Sequence, residues 1–146
     1  MPMITPKDWT LLAINAAEGR PVSPVQIQKC LFLLSKEIPQ YLPEDFYDFV
    51  PYNYGPFNKK IYEDLDELIK ENLVYSLKNN NRNWVEYAAS PSGMERSKTL
   101  SKDVPDRILT YLRHLMAWCR SKTFEELISA IYDKYPEYRR NSVFQG

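Results

Sequence analysis

Hydrophobic positions recur at helical spacing along most of the chain, and most runs open on their own capping residue. Thr5-Pro6-Lys7-Asp8 sets a hydroxyl before a proline at a first helical position, and Trp9, Leu12, Ala13 and Ala16 follow on one face. This predicts a helix near residues 6–18 that closes at about Gly19. Ser23-Pro24-Val25-Gln26 repeats the device with a glutamine that completes a capping box, and Ile27, Leu31 and Leu34 give the buried stripe of a helix near 24–37. Pro39 and Pro43 bracket a linker. Asp45 to Tyr52 is aromatic and β-branched but too short for a helix, so it reads as a short strand or extended segment. Asn58 can cap a third helix near 58–72, with Ile61, Leu65, Leu68 and Ile69 inward.

The period then changes from helical to alternating. Leu73, Tyr75 and Leu77 run out, Asn79-Asn80-Asn81-Arg82-Asn83 has the composition of a turn, and Val85, Tyr87 and Ala89 run back, which predicts a β-hairpin near 73–89. Further helices are expected near 91–99, opened by Ser90-Pro91, near 105–120, with Ile108, Leu112, Leu115 and Cys119 inward, and near 124–135. The last has a Thr123-to-Glu126 capping box, with Leu127, Ile128, Ile131 and Tyr135 inward, and stops at Pro136. The order helix, helix, extended segment, helix, hairpin, helix is that of a winged helix. The fold class expected is therefore mainly α with a small β-hairpin, a winged helix-turn-helix core over about 5–99 and a helical extension over about 103–138, within one domain spanning 1–146.

Composition narrows the function classes. Nineteen basic and nineteen acidic residues cancel, so any attraction to nucleic acid or anionic lipid must come from a local patch. No charged-then-apolar leader and no membrane-length apolar run stands in the sequence, which makes a cytoplasmic protein the expectation. Cys30 and Cys119 lie far apart in apolar helical patterns and read as small hydrophobes, with a disulfide or reactive thiol as the alternative.

Catalytic chemistry finds few candidates. The single histidine, His114, falls on a helix flank between Leu112 and Leu115. One histidine and two distant cysteines do not make a metal site, and four glycines at 19, 55, 93 and 146 form no phosphate-cradling loop. We therefore expect no catalytic residues, no metal and no cofactor.

The most specific local cluster is Tyr52, Tyr54, Gly55, Pro56 and Phe57. Gly55-Pro56 reads as a turn into the third helix with Phe57 stapled onto Ile61 or Tyr62, while the two tyrosines could equally line a binding surface. Lys29 either snorkels beside an apolar helix face or joins that surface.

Three ordered segments carry a resemblance. Pro51 to Val74, PYNYGPFNKKIYEDLDELIKENLV, resembles the signature of the phage-associated Panacea or SocA-like antitoxin domain and of related YwgA-like bacterial proteins, in which Y-x-Y-G-P-F precedes a helix and a G-L-V start of the wing. Ile27-Gln28-Lys29-Cys30-Leu31-Phe32-Leu33 is similar to that group's LQKLLYL helix, and Ala89-Ser90-Pro91-Ser92-Gly93 stands where LTxxG follows the wing. Asn72 departs from the usual glycine before the wing, and Pro91-Ser92 is not the usual pair. The resemblance covers about residues 5–99. It implies a winged-helix fold without catalytic residues and, for the antitoxin members, the binding or delivery of a protein partner such as a toxin or a protease.

The function expected is that of a non-enzymatic, antitoxin- or adaptor-like interaction module, with Lys29, Tyr52, Tyr54, Lys59 and Lys60 as the candidate partner surface. The alternative is a DNA-binding transcriptional regulator using Lys59, Lys60, Lys78 and Arg82 against phosphate, although Glu63, Asp64, Asp66, Glu67 and Glu71 crowd the same helix. The apolar stripe near 105–120 with Trp118 beside it packs either on the core or on a second copy as a homodimer.

Overall fold

Six helices and two short antiparallel hairpins make up the computed structural model, which describes residues 4–78 and 85–144. The helices are α1 (Pro6–Asn15), α2 (Pro24–Glu37), α3 (Lys60–Lys70), α4 (Pro91–Ser101), α5 (Asp106–Ser121) and α6 (Phe124–Lys134). The strands are β1 (Val50–Tyr52), β2 (Gly55–Phe57), β3 (Val74–Lys78) and β4 (Val85–Ala89). Short 3-10 turns at Pro39–Tyr41 and Pro136–Arg139 complete the chain path. No helix among the described residues is long and apolar enough to cross a membrane.

The caps act as the sequence implies. Thr5 with Asp8, Ser23 with Gln26 and Thr123 with Glu126 each form a reciprocal capping box. Two helices are shorter than their periodicity suggests, because their ends leave the helical region. Glu18 and Gly19 take φ of 56° and 87°, which ends the turn that follows α1. Asn72 takes φ of 62° at the end of α3, a left-handed position that glycine fills at no cost and asparagine tolerates better than other side chains.

Buried side chains of α1, α2, α3, α5 and α6 form one continuous core. α1 packs on α2, α3, α4 and β4, while α2 packs on α5. There the Cys30 thiol shares a hydrogen bond with that of Cys119; this bond and burial hold it above the usual thiol range. The α5 stripe of Ile108, Leu112, Leu115 and Cys119 is buried within the chain, and Trp118 is left partly exposed beside it. In α6 the inward aromatic is Tyr132, fully buried, with Tyr135 only half-buried. The expected face otherwise holds, with Leu127, Ile128 and Ile131 buried and Tyr135 packed against the core from just beyond the helix.

β3 and β4 pair from Val74 opposite Ala89 to Lys78 opposite Val85. Val22, between α1 and α2, adds a bridge to the outer edge of β4 through two main-chain hydrogen bonds with Tyr87, both 2.8 Å. The expected hairpin is therefore present, and its tip, Asn79 to Asn83 with Arg82, lies outside the described residues. At its base Gly93 is held close to β3: a Cβ there would stand 1.9 Å from the Leu73 carbonyl oxygen. The Ser90 hydroxyl caps α4 through the Gly93 N–H and donates to the Asn72 carbonyl at 2.5 Å, so the start of α4 and the end of α3 are tied together.

Candidate functional site

The tyrosine-rich segment is a hairpin rather than a turn into α3. β1 and β2 pair Val50 with Phe57, Pro51 with Pro56 and Tyr52 with Gly55, leaving Asn53 and Tyr54 as a two-residue turn. Pairs in an antiparallel ladder alternate between hydrogen-bonded and not, and proline has no N–H, so the two prolines face each other at the pair that needs none. Gly55 takes φ of 95° at the exit of the turn, a backbone conformation that glycine reaches without steric cost. The expectation that Gly55-Pro56 turns the chain into the helix is thereby corrected. That step is made by Asn58, whose side-chain oxygen accepts from the Lys60 N–H at 2.9 Å and whose amide donates to the Asp48 carbonyl at 2.8 Å.

Two side chains of α2 hold this hairpin from beneath. Gln28 pairs with the main chain of Asn58 as a neighbouring strand would, donating to its carbonyl at 2.8 Å and accepting from its N–H at 3.0 Å. Lys29 is buried, 3% exposed, and its Nζ donates to the Pro56 carbonyl at 2.9 Å. Burial pulls its pKa from the ordinary 10.5 to about 7. Lys29 therefore neither snorkels nor presents its amine to a partner; it fastens α2 to β2. A side chain on Gly55 would touch the Lys29 Cε at 3.6 Å and the Tyr132 ring at 3.5 Å.

Above this base lies an aromatic surface. Tyr52, 50% exposed, stacks on Phe57 with ring centroids 5.0 Å apart, and Phe57 contacts Tyr62 at 5.9 Å. This is the staple expected of Phe57, extended by one ring. Tyr54, 45% exposed, meets the Phe124 ring edge-on at 5.1 Å, so the hairpin tip rests on the start of α6. Tyr62 and Phe124 also line a groove of about 880 Å³, whose other walls include Ser23, Gln26, Glu86 and Lys122.

The remaining candidates separate. Lys59 is exposed at the start of α3. Lys60 is exposed but pairs with Asp64 at 3.2 Å, which raises its pKa through that hydrogen bond. Asp64, one of the acids that crowd α3 in the sequence, is not on its solvated face. It is buried, and it accepts at 2.5 Å from the Tyr47 hydroxyl, which also shares a 2.7 Å hydrogen bond with Thr10. Lys78 is exposed at the far end of β3, and Arg82 lies outside the described residues. Sequence reasoning missed Gln28, Asn53, Phe124 and Tyr132 because each acts across the fold; the one local signal was Phe124 following the Thr123 cap. His114 is exposed on α5. Among the described residues, no group of three or more His, Cys, Asp or Glu is placed to hold a metal ion.

No protein-family model matches the chain, and no curated protein matches it.

Proposed function

We propose that the chain is a cytoplasmic, non-enzymatic winged-helix module of the Panacea or SocA-like kind, which binds a protein partner, a toxin or a protease, through the β1–β2 hairpin and its aromatic surroundings. The observation that carries this reading is the half exposure of Tyr52 and Tyr54 on a hairpin made rigid by Lys29 and Gln28. Exposed tyrosines on a fixed support offer large contact area at little entropic cost, which is how binding anchors work. The winged-helix assignment draws on α1, α2 and α3 followed by the β3–β4 hairpin, with Val22 bridging its edge. The family assignment draws on a spatial meeting: the IQKCLFL helix and the YNYGPF hairpin, distant in sequence, hydrogen-bond through Gln28, Lys29, Pro56 and Asn58.

The test is capture of a partner from the native host by the protein and by Tyr52→Ala, with thermal unfolding of both. The expected result is an unchanged melt and a loss of capture of at least about 1 kcal/mol, or fivefold. A stable variant that captures as much as the parent removes the reading. A second reading, DNA regulation, draws on exposed Lys59 at the start of α3 and Lys78 on the hairpin, and is decided by salt-dependent duplex binding.

A further inference from the structure

After the Pro136–Arg139 turn the chain reverses at Asn141, φ 67°, and residues 142–144 run back across the tip of the β1–β2 hairpin. Three contacts seat them. The Val143 N–H donates to the Asn53 carbonyl at 2.9 Å. The Ser142 hydroxyl accepts from the Tyr132 hydroxyl at 2.5 Å and lies 3.2 Å from the Asn53 carbonyl, to which it can donate. The Phe144 ring lies 6.4 Å from Phe124 and 6.3 Å from Tyr132, both on α6. Val143 itself is 61% exposed.

We propose that this cleft, formed by Asn53, Phe124 and Tyr132, is a recognition site for an extended protein segment with a hydroxyl residue two positions before an aromatic one, and that residues 142–144 occupy it until a partner's segment displaces them. The contacts select that chemistry. Tyr132 supplies a donor and Asn53 an acceptor to one side-chain atom, and only a hydroxyl can accept and donate at once at that size. The main-chain bond from Val143 asks only for an extended backbone, so the middle position is unrestricted, in keeping with its exposure. The third position meets two aromatic rings, where another ring fits best. The cleft shares Phe124 with Tyr54, so the inference deepens the proposed partner surface and rests on it for the identity of the ligand as a protein.

The probe is a fluorophore-labelled peptide of residues 140–145, Arg-Asn-Ser-Val-Phe-Gln. It is titrated by anisotropy into the full chain and into a full-length Ser142→Ala, Phe144→Ala variant whose own segment is weakened. The variant is expected to bind saturably and the parent at least about tenfold more weakly, because a tethered segment competes at high effective concentration. A peptide with alanine in place of its phenylalanine should lose at least about tenfold. A folded variant that binds neither peptide, or both equally, overturns the inference. Should the variant not fold, amide exchange of the parent decides: excess peptide must speed exchange at Val143, and an unchanged rate overturns it. The two readings fail separately. Peptide binding with partner capture indifferent to Tyr52→Ala removes the proposed function, and capture that needs Tyr52 without any peptide binding removes the cleft.

Discussion

Lys29 is a cation where a cation is costly, and the cost has a pH signature. Its folded pKa of about 7 lies below the unfolded 10.5, so between these values the unfolded chain binds more protons and stability rises with pH. Below about pH 7 both states hold the proton and the effect vanishes. The slope is at most about 1.4 kcal/mol per pH unit. Cys30 has the opposite sign: its raised pKa means stability is lost as pH climbs past the ordinary thiol value of 9.0. We therefore expect the melting temperature to rise from pH 7 to about 9, and Lys29→Met to flatten the rise. A parent protein with no upward slope in that window would show that the amine reaches water. Two glycines are restricted for different reasons. Gly93→Ala drives a methyl into the Leu73 carbonyl and should cost roughly 3 kcal/mol, the upper end of overpacking penalties. At Gly55 a Cβ would stand at ordinary contact distance, but the backbone angle is one that a branched residue rarely adopts, so Gly55→Val should cost on the order of 1–3 kcal/mol. Denaturant unfolding of both measures these costs, and a neutral Gly93→Ala would mean that α4 and β3 can separate freely.

At the scale of elements, what was legible is what is local. Capping boxes and apolar stripes lie within one helix, so Thr5, Ser23 and Thr123 mark starts that the structure repeats to the residue. The β3–β4 hairpin was legible because alternation and a polar turn occupy adjacent positions. The β1–β2 hairpin was not, since three-residue strands carrying proline violate strand propensity and persist only because Gln28 and Lys29 supply partners about 30 residues upstream. Asp64 likewise reads as one more surface acid until Tyr47, on a segment without regular structure, is seen to cover it. The same dependence makes the hairpin separable by mutation. Gln28→Ala removes both bonds to Asn58 and leaves Tyr52 and Tyr54 chemically intact, so it should loosen the hairpin and weaken partner capture at a stability cost of about 1–3 kcal/mol. Amide exchange at Asn58 reports the loosening, and an unchanged rate would mean that Lys29 alone fixes the strand.

For the whole molecule, the charge pattern sets what to expect of DNA binding. Net charge is zero, so phosphate attraction must come from α3 and the β3–β4 hairpin. The exposed residues of α3 set Lys60 and Lys70 beside Glu63, Asp66 and Glu67, and the amine of Lys60 is engaged by Asp64. Lys7 from α1 adds a bridge to Glu71 at 3.0 Å, which neutralises an acid without presenting a cation outward. Burial of Asp64 makes α3 less repellent than its sequence suggests, but leaves it short of a positive face. Among the described residues of α3 and the β3–β4 hairpin, Lys59, Lys60, Lys70 and Lys78 are the exposed cations, so they could neutralise no more than about four phosphates, and low-salt association through them should fall with a log-log salt slope no steeper than about −4. We accordingly expect no specific duplex binding at physiological salt, measured by anisotropy on fragments selected from genomic DNA. A nanomolar site that Lys59→Glu abolishes would reverse the assignment, making α3 a recognition helix and the aromatic hairpin its support.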